Sequence, residues 1–158
     1  MLRLYGRGVI ALIAALLSAT PVLSQTAANF GTLTLAPGFG ADSGRAAGNT
    51  GGSFSLSSLA NRDRNGNRCI GFGDPNPDHI LVLQKDFPKL NVLVNGGGQD
   101  TTLVIRGPND QTIRCGDDTG SKKDASVKDS NWAAGTYRIW VGSIDSGQRV
   151  DYSLSVRE

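Results

Sequence analysis

From Ser53 to its end the chain is divided into short extended runs: SFSLSSL, RCIGF, HILVLQKDF, KLNVLV, TTLVIRG, QTIRC, GTYRIWVG and DYSLSVRE. Each is closed by Gly, Pro, Asn or Asp. Runs of this length and spacing, rich in Val, Ile, Thr and aromatic residues, predict an all-β sandwich or barrel. Composition agrees. The chain has thirteen Asp and a single Glu, the terminal residue. Glu is a good helix former, whereas Asp, Asn, Ser and Gly favour turns and caps.

Alternation assigns the faces. In GTYRIWVG, Tyr137, Ile139 and Val141 share one side and Arg138 and Trp140 the other; in DYSLSVRE, Tyr152, Leu154 and Val156 face inward. The stretches Ile80 to Leu83 and Leu103 to Ile105 are continuously apolar, the mark of strands covered on both sides. NGGGQD and GPNDQ read as turns, and Asn65-Gly66 as the tip of a hairpin. No internal repeat is evident.

Upstream, MLRLYGRGVIALIAALLSATPVLSQTA places Arg3 and Arg7 before an apolar run and then small residues, the order of a secretory signal peptide. The run is shorter than the roughly 20 residues of a spanning helix. The expected organisation is a signal peptide over 1–24, an N-terminal extended segment and Gly-rich loop over 25–52, and a β-sandwich domain over 53–158. The expected location is secreted or periplasmic, with no membrane contact after cleavage. Removing residues 1–24 takes two arginines and no acids, so the formal charge of +2 falls to zero. A nucleic-acid binder needs a surplus of Lys and Arg, which this leaves absent. In an exported chain Cys69 and Cys115 are expected to form one disulfide.

Chemistry is sparse. His79 is the only histidine, and no nucleophile motif accompanies it. The glycine-rich GGGQDTT lacks the Gly-Lys-Ser/Thr ending of a phosphate loop and is a turn. Calcium is the candidate cofactor, because hard cations take oxygen ligands from Asp, Asn and carbonyl groups on loops. Asp63 to Asp74 imitates an EF-hand loop, but Arg68 stands where Gly is needed, Asp74 stands where Glu is needed, and no helices flank it. The better candidate follows a strand end, with Asp117, Asp118 and Asp124 as ligands and Asp129 within reach; a solvated acidic turn neutralised by Lys122 and Lys123 is the alternative. Arg138 and Trp140 are expected either to form a ligand surface, a ring with a nearby cation, or to belong to a second layer of core.

Taken together, NPDHILVL, DTTLVIRGPNDQTIRCGDD, WAAGTYRIWVGS and DYSLSV resemble the bacterial pre-peptidase C-terminal domain family, in its stand-alone secreted cyanobacterial-type form. The matching positions are Asp78; Asp100 with Leu103, Ile105, Gly107 and Pro108; Asp117 with Asp118; and Ala134-Gly135-Thr136-Tyr137. The likeness covers about residues 53–157. It implies an antiparallel jelly-roll-like β-sandwich, export and a non-catalytic role. Family members often accompany secreted proteases, and relatives on collagenases bind calcium and substrate; no protease domain is present in this sequence. The expected function is a secreted non-catalytic binding or accessory module, with calcium as its candidate stabilising ion, whose partner is an extracellular protein or glycan. The alternatives are a small hydrolase using Asp carboxylates with His79, and an extracellular structural or inhibitor protein.

Overall fold

The computed structural model describes residues 27–158. The expected signal peptide lies outside the described residues. The described residues form eleven strands and one short 3-10 turn, Leu56–Ser58. In chain order the strands are β1 (Thr32–Leu35), β2 (Arg45–Asn49), β3 (Phe54–Ser55), β4 (Phe72–Gly73), β5 (His79–Leu83), β6 (Phe87–Asn95), β7 (Thr101–Arg106), β8 (Ile113–Gly116), β9 (Ser126–Trp132), β10 (Gly135–Ser143) and β11 (Asp151–Arg157). One sheet runs β1-β5-β10-β4-β3, with β7 joined to β10 and β8 to β7; the other runs β2-β11-β6-β9. The fold is a two-sheet β-sandwich.

Three features depart from expectation. β9, over Ser126–Trp132, falls in none of the expected runs and pairs with β6. The stretch read as a glycine-rich loop contains β2, which pairs with β11, while β1 pairs with β5. The residues before Ser53 therefore supply an edge strand to each sheet. The β1–β5 pairing is also parallel, in a sandwich otherwise built from antiparallel neighbours.

Between the sheets lies the main core. It includes Leu81, Leu83, Leu103, Ile105, Tyr137, Ile139 and Val141 from one sheet, and Leu90, Val92, Val94, Trp132, Leu154 and Val156 from the other. These are the inward positions that alternation predicts on β10 and β11. A second apolar cluster lies on the outer side of the seven-stranded sheet, where Leu56, Cys69, Val104, Cys115 and Trp140 pack together with Phe54 and Ile113 at its margin. The segment from Phe54 to Ile70 covers that outer side, which is why β7 is buried on both faces. On β5 the cover is incomplete, and Ile80 and Val82 are half-buried.

Candidate functional site

The disulfide joins Cys69 to Cys115, with Cα atoms 5.2 Å apart. It fastens the covering segment to β8. The 62–68 hairpin is braced from within by Asp63, whose Oδ1 accepts from the Asn65 and Asn67 amides at 2.8 and 2.9 Å. Its Oδ2 accepts from Asn67 Nδ2 at 3.0 Å and from the Cys115 amide at 3.1 Å. The EF-hand-like residue is thus a loop brace whose oxygens are engaged by the protein's own N–H groups.

Directly after Cys115 the strand ends at Gly116, and Asp117 and Asp118 follow it. The antiparallel pairing of Leu103 with Gly116 brings the start of β7 alongside this end. Asp100, Asp117 and Asp118 each present an oxygen, and these lie within 4.8 Å of one another. Partial burial, with the charges of Asp118 and Asp100, pushes Asp117 above the usual carboxylate range. Carboxylates crowded in this way favour either a proton or a cation. Calcium–oxygen bonds are about 2.3–2.6 Å, so oxygens no more than about 5 Å apart can share one ion. The donor set is all oxygen, and it fits a hard divalent cation. Lys123 Nζ, 3.4 Å from Asp100, supplies some positive charge from the rim.

The three carboxylates brought together are not the three expected from the sequence. Asp100 joins Asp117 and Asp118, whereas Asp124 turns elsewhere: its Oδ1 accepts from the Gly96 amide at 2.8 Å and holds the glycine loop. Its carbonyl accepts from Thr119 Oγ1 at 2.6 Å. Asp129 is also engaged, accepting from Arg114 Nε at 2.7 Å with Arg64 3.7 Å away. Burial works against the Asp129 charge, but hydrogen bonds from the Ser130 amide, Arg114 and Asn65 outweigh it and hold the carboxyl below its usual range. Asp63, Asp117, Asp118 and Asp129 line a shared concavity of about 510 Å³ beside Arg68 and Lys128.

Trp140 and Arg138 do not form an open surface. Trp140 is 4 % exposed within the second cluster, its indole N–H donating to the Pro75 carbonyl at 3.3 Å. Arg138 donates to Asp110 at 2.8 Å, next to Arg106. Alternation puts the pair on the outer side of the sheet, and the covering segment then buries the tryptophan.

His79 is buried between the sheets. Its Nε2 lies 2.9 Å from the Tyr152 hydroxyl, and Phe30 packs over both rings. Burial lowers its pKa to about 4. Next to it in the chain, Asp78 accepts from the Val141 amide at 2.7 Å, and burial pushes its pKa up to about 7 against that hydrogen bond and another from Asn29. The imidazole has aromatic neighbours and no carboxylate hydrogen bond. At 1 % exposure it is out of reach of a substrate. A hydrolytic His–Asp pairing therefore has no geometric support here.

No family model matches the chain, and no curated protein matches it. Among solved structures it is similar to the pre-peptidase C-terminal domain of a collagenase from Bacillus anthracis, at 16% identity and a TM-score of 0.45, over 80% of this chain and 94% of that one. At that level the likeness adds nothing to what the strand pairings themselves show of the fold.

Proposed function

We propose that the protein is an exported, non-catalytic β-sandwich module that holds calcium at Asp100, Asp117 and Asp118 and serves as a binding or accessory domain for an extracellular protein or glycan. The observation that carries this reading is the convergence of three carboxylates on a strand end held by a disulfide. Oxygen donors on a preformed loop suit calcium, with the remaining positions of its shell taken by carbonyls or water. The signal-like leader and the bonded cysteines support export. Among the described residues no helix is long and apolar enough to cross a membrane.

The experiment is thermal unfolding in calcium and in chelator. A ligand bound only by the native state raises the midpoint, by about 2.7 kcal/mol of stability at a hundredfold excess over Kd. An unchanged midpoint at millimolar calcium overturns the metal reading. The Lys123–Asp100 contact favours a second reading, a solvated acidic turn that needs no ion. Under that reading salt alone, at matched ionic strength, reproduces any effect of calcium.

A further inference from the structure

The segment that covers the outer side of the seven-stranded sheet carries another concavity, of about 670 Å³, whose walls include Ser55, Ser57, Asn61, Arg62 and Arg68. Arg62 and Arg68 face each other across an isolated antiparallel bridge. Residues directly opposite in such a bridge project to the same side, and like charges placed there repel. Both arginines are exposed.

No ion pair among the described residues offsets that repulsion, although Arg68 also borders the acidic concavity. The ion pairs among the described residues use Arg64, Arg106, Arg114, Lys123 and Arg138, and none involves Arg62 or Arg68. Asp63, their neighbour in the hairpin, has both oxygens occupied by loop and Cys115 N–H groups. Arg62 Nη1 donates to the Gly66 carbonyl at 2.7 Å, which fixes the guanidinium and leaves its other donors free. Ser55 and Ser57 share one hydrogen bond of 2.8 Å. Whichever hydroxyl donates, the other keeps its own hydrogen for a ligand. Two guanidinium forks, a free hydroxyl and an amide around one hollow form a donor-rich, acceptor-poor surface, the pattern that recognises sulfate or phosphate.

We propose that this hollow binds a tetrahedral oxyanion, sulfate or phosphate, either free or as an ester on an extracellular polymer. The site is distinct from the carboxylate trio: the two concavities share only Arg68 and Ile70. Anions and cations would then be taken on opposite sides of the same disulfide-anchored hairpin.

The test is a nitrogen-15 chemical-shift titration of the disulfide-intact protein with sodium sulfate and with sodium phosphate, ionic strength being held constant with chloride. Saturable shifts of the Asn61 to Ile70 amides and of the Arg62 and Arg68 Nε–H signals are expected. R62A/R68A should weaken binding at least about tenfold. R62K/R68K, which keeps the charge and loses the fork, should fall between and guards against a folding defect in the alanine variant. D117N/D118N should leave anion binding intact, which separates this proposal from the calcium reading. Sulfated dextran bound more tightly than unsulfated dextran identifies an ester as the source; binding of the inorganic ions alone identifies the free anion. Shifts that do not saturate, that chloride reproduces, or that R62A/R68A retains at wild-type affinity overturn the proposal.

Discussion

Arg114 donates its Nε–H to Asp129 at 2.7 Å while its guanidinium carbon lies 4.0 Å over the centre of the Trp132 ring. Its Nη2 reaches the carbonyls of Ser130 and Asn131 at 3.4 and 3.2 Å. One side chain from β8 in the first sheet thus occupies backbone acceptors on β9 in the second, along a seam that the strand pairings leave open. Burial alone would lower the arginine pKa, and the Asp129 hydrogen bond and charge oppose it.

Removing the cation leaves Asp129 without its main partner and the β9 carbonyls uncovered. R114A should cost about 3–5 kcal/mol, the range for breaking a buried pair from one side. R114K should recover part of the charge term and little of the stacking or fork geometry. Urea unfolding with comparison of midpoints and slopes checks both.

Asp78 and His79 make a paired prediction for pH. Asp78 is raised from 3.8 to about 7, so its contribution to stability is full below 3.8 and lost as pH rises through about 7. His79 is lowered from 6.5 to about 4, so its contribution is full above 6.5 and lost as pH falls through about 4. Between about 4 and 6.5 the two trends oppose each other. D78N should stabilise the protein near pH 8, by up to about 4 kcal/mol if the whole interval from 3.8 to about 7 is realised, and should unmask a decline toward acid. H79N should unmask the reverse slope on a lower baseline, since it loses the Tyr152 contact. Urea midpoints measured from pH 4 to 8 report the slopes. Parallel profiles for the two variants would refute the assignment.

For the carboxylate trio the sign depends on the ion. Asp117 is raised by burial and by its acidic neighbours, so its ionisation opposes folding as pH rises through its folded value. In chelator at neutral pH, D117N should therefore raise the unfolding midpoint. In calcium, the same variant should lose the response seen with the wild type. An Asn that lowers the midpoint in chelator would show that the cluster is already neutralised by Lys123.

Loss of the Cys69–Cys115 bond should cost about 2–5 kcal/mol, as for other small domains. The loss should also be local. In C69A/C115A the segment from Phe54 to Ile70 is no longer fastened to β8, so the Trp140 indole N–H, which donates to the Pro75 carbonyl, should exchange with solvent faster than core amides of β6 and β11. Uniform acceleration of exchange would argue against a separable cover.

The strands that bury an alternating or continuous apolar pattern were legible in the sequence, and β7, β10 and β11 fall where that pattern puts them. β2 was not, because RAAGN carries little strand preference; its place comes from pairing with β11, and a Cβ on Gly48 would press on the Tyr152 hydroxyl and Phe30. The outer side of Trp140 was readable, but its burial depends on a segment tied down from some seventy residues earlier in the chain. For the acidic trio, Asp117 and Asp118 follow from their strand end. Asp100 needed the β7–β8 register, and Asp124 was misplaced because nearness in sequence cannot show that it faces Gly96.

The placing of β1 and β2 at the sheet edges has a consequence for the order of assembly. Among the described residues β2 pairs only with β11, far later in the sequence. A chain growing from its N-terminus carries Arg45–Asn49 unpaired until β11 has been made, and such long-range closure is intrinsically slow. Completion of the second sheet is thereby deferred until β11 has been made, so the two edges of the sandwich close at different stages.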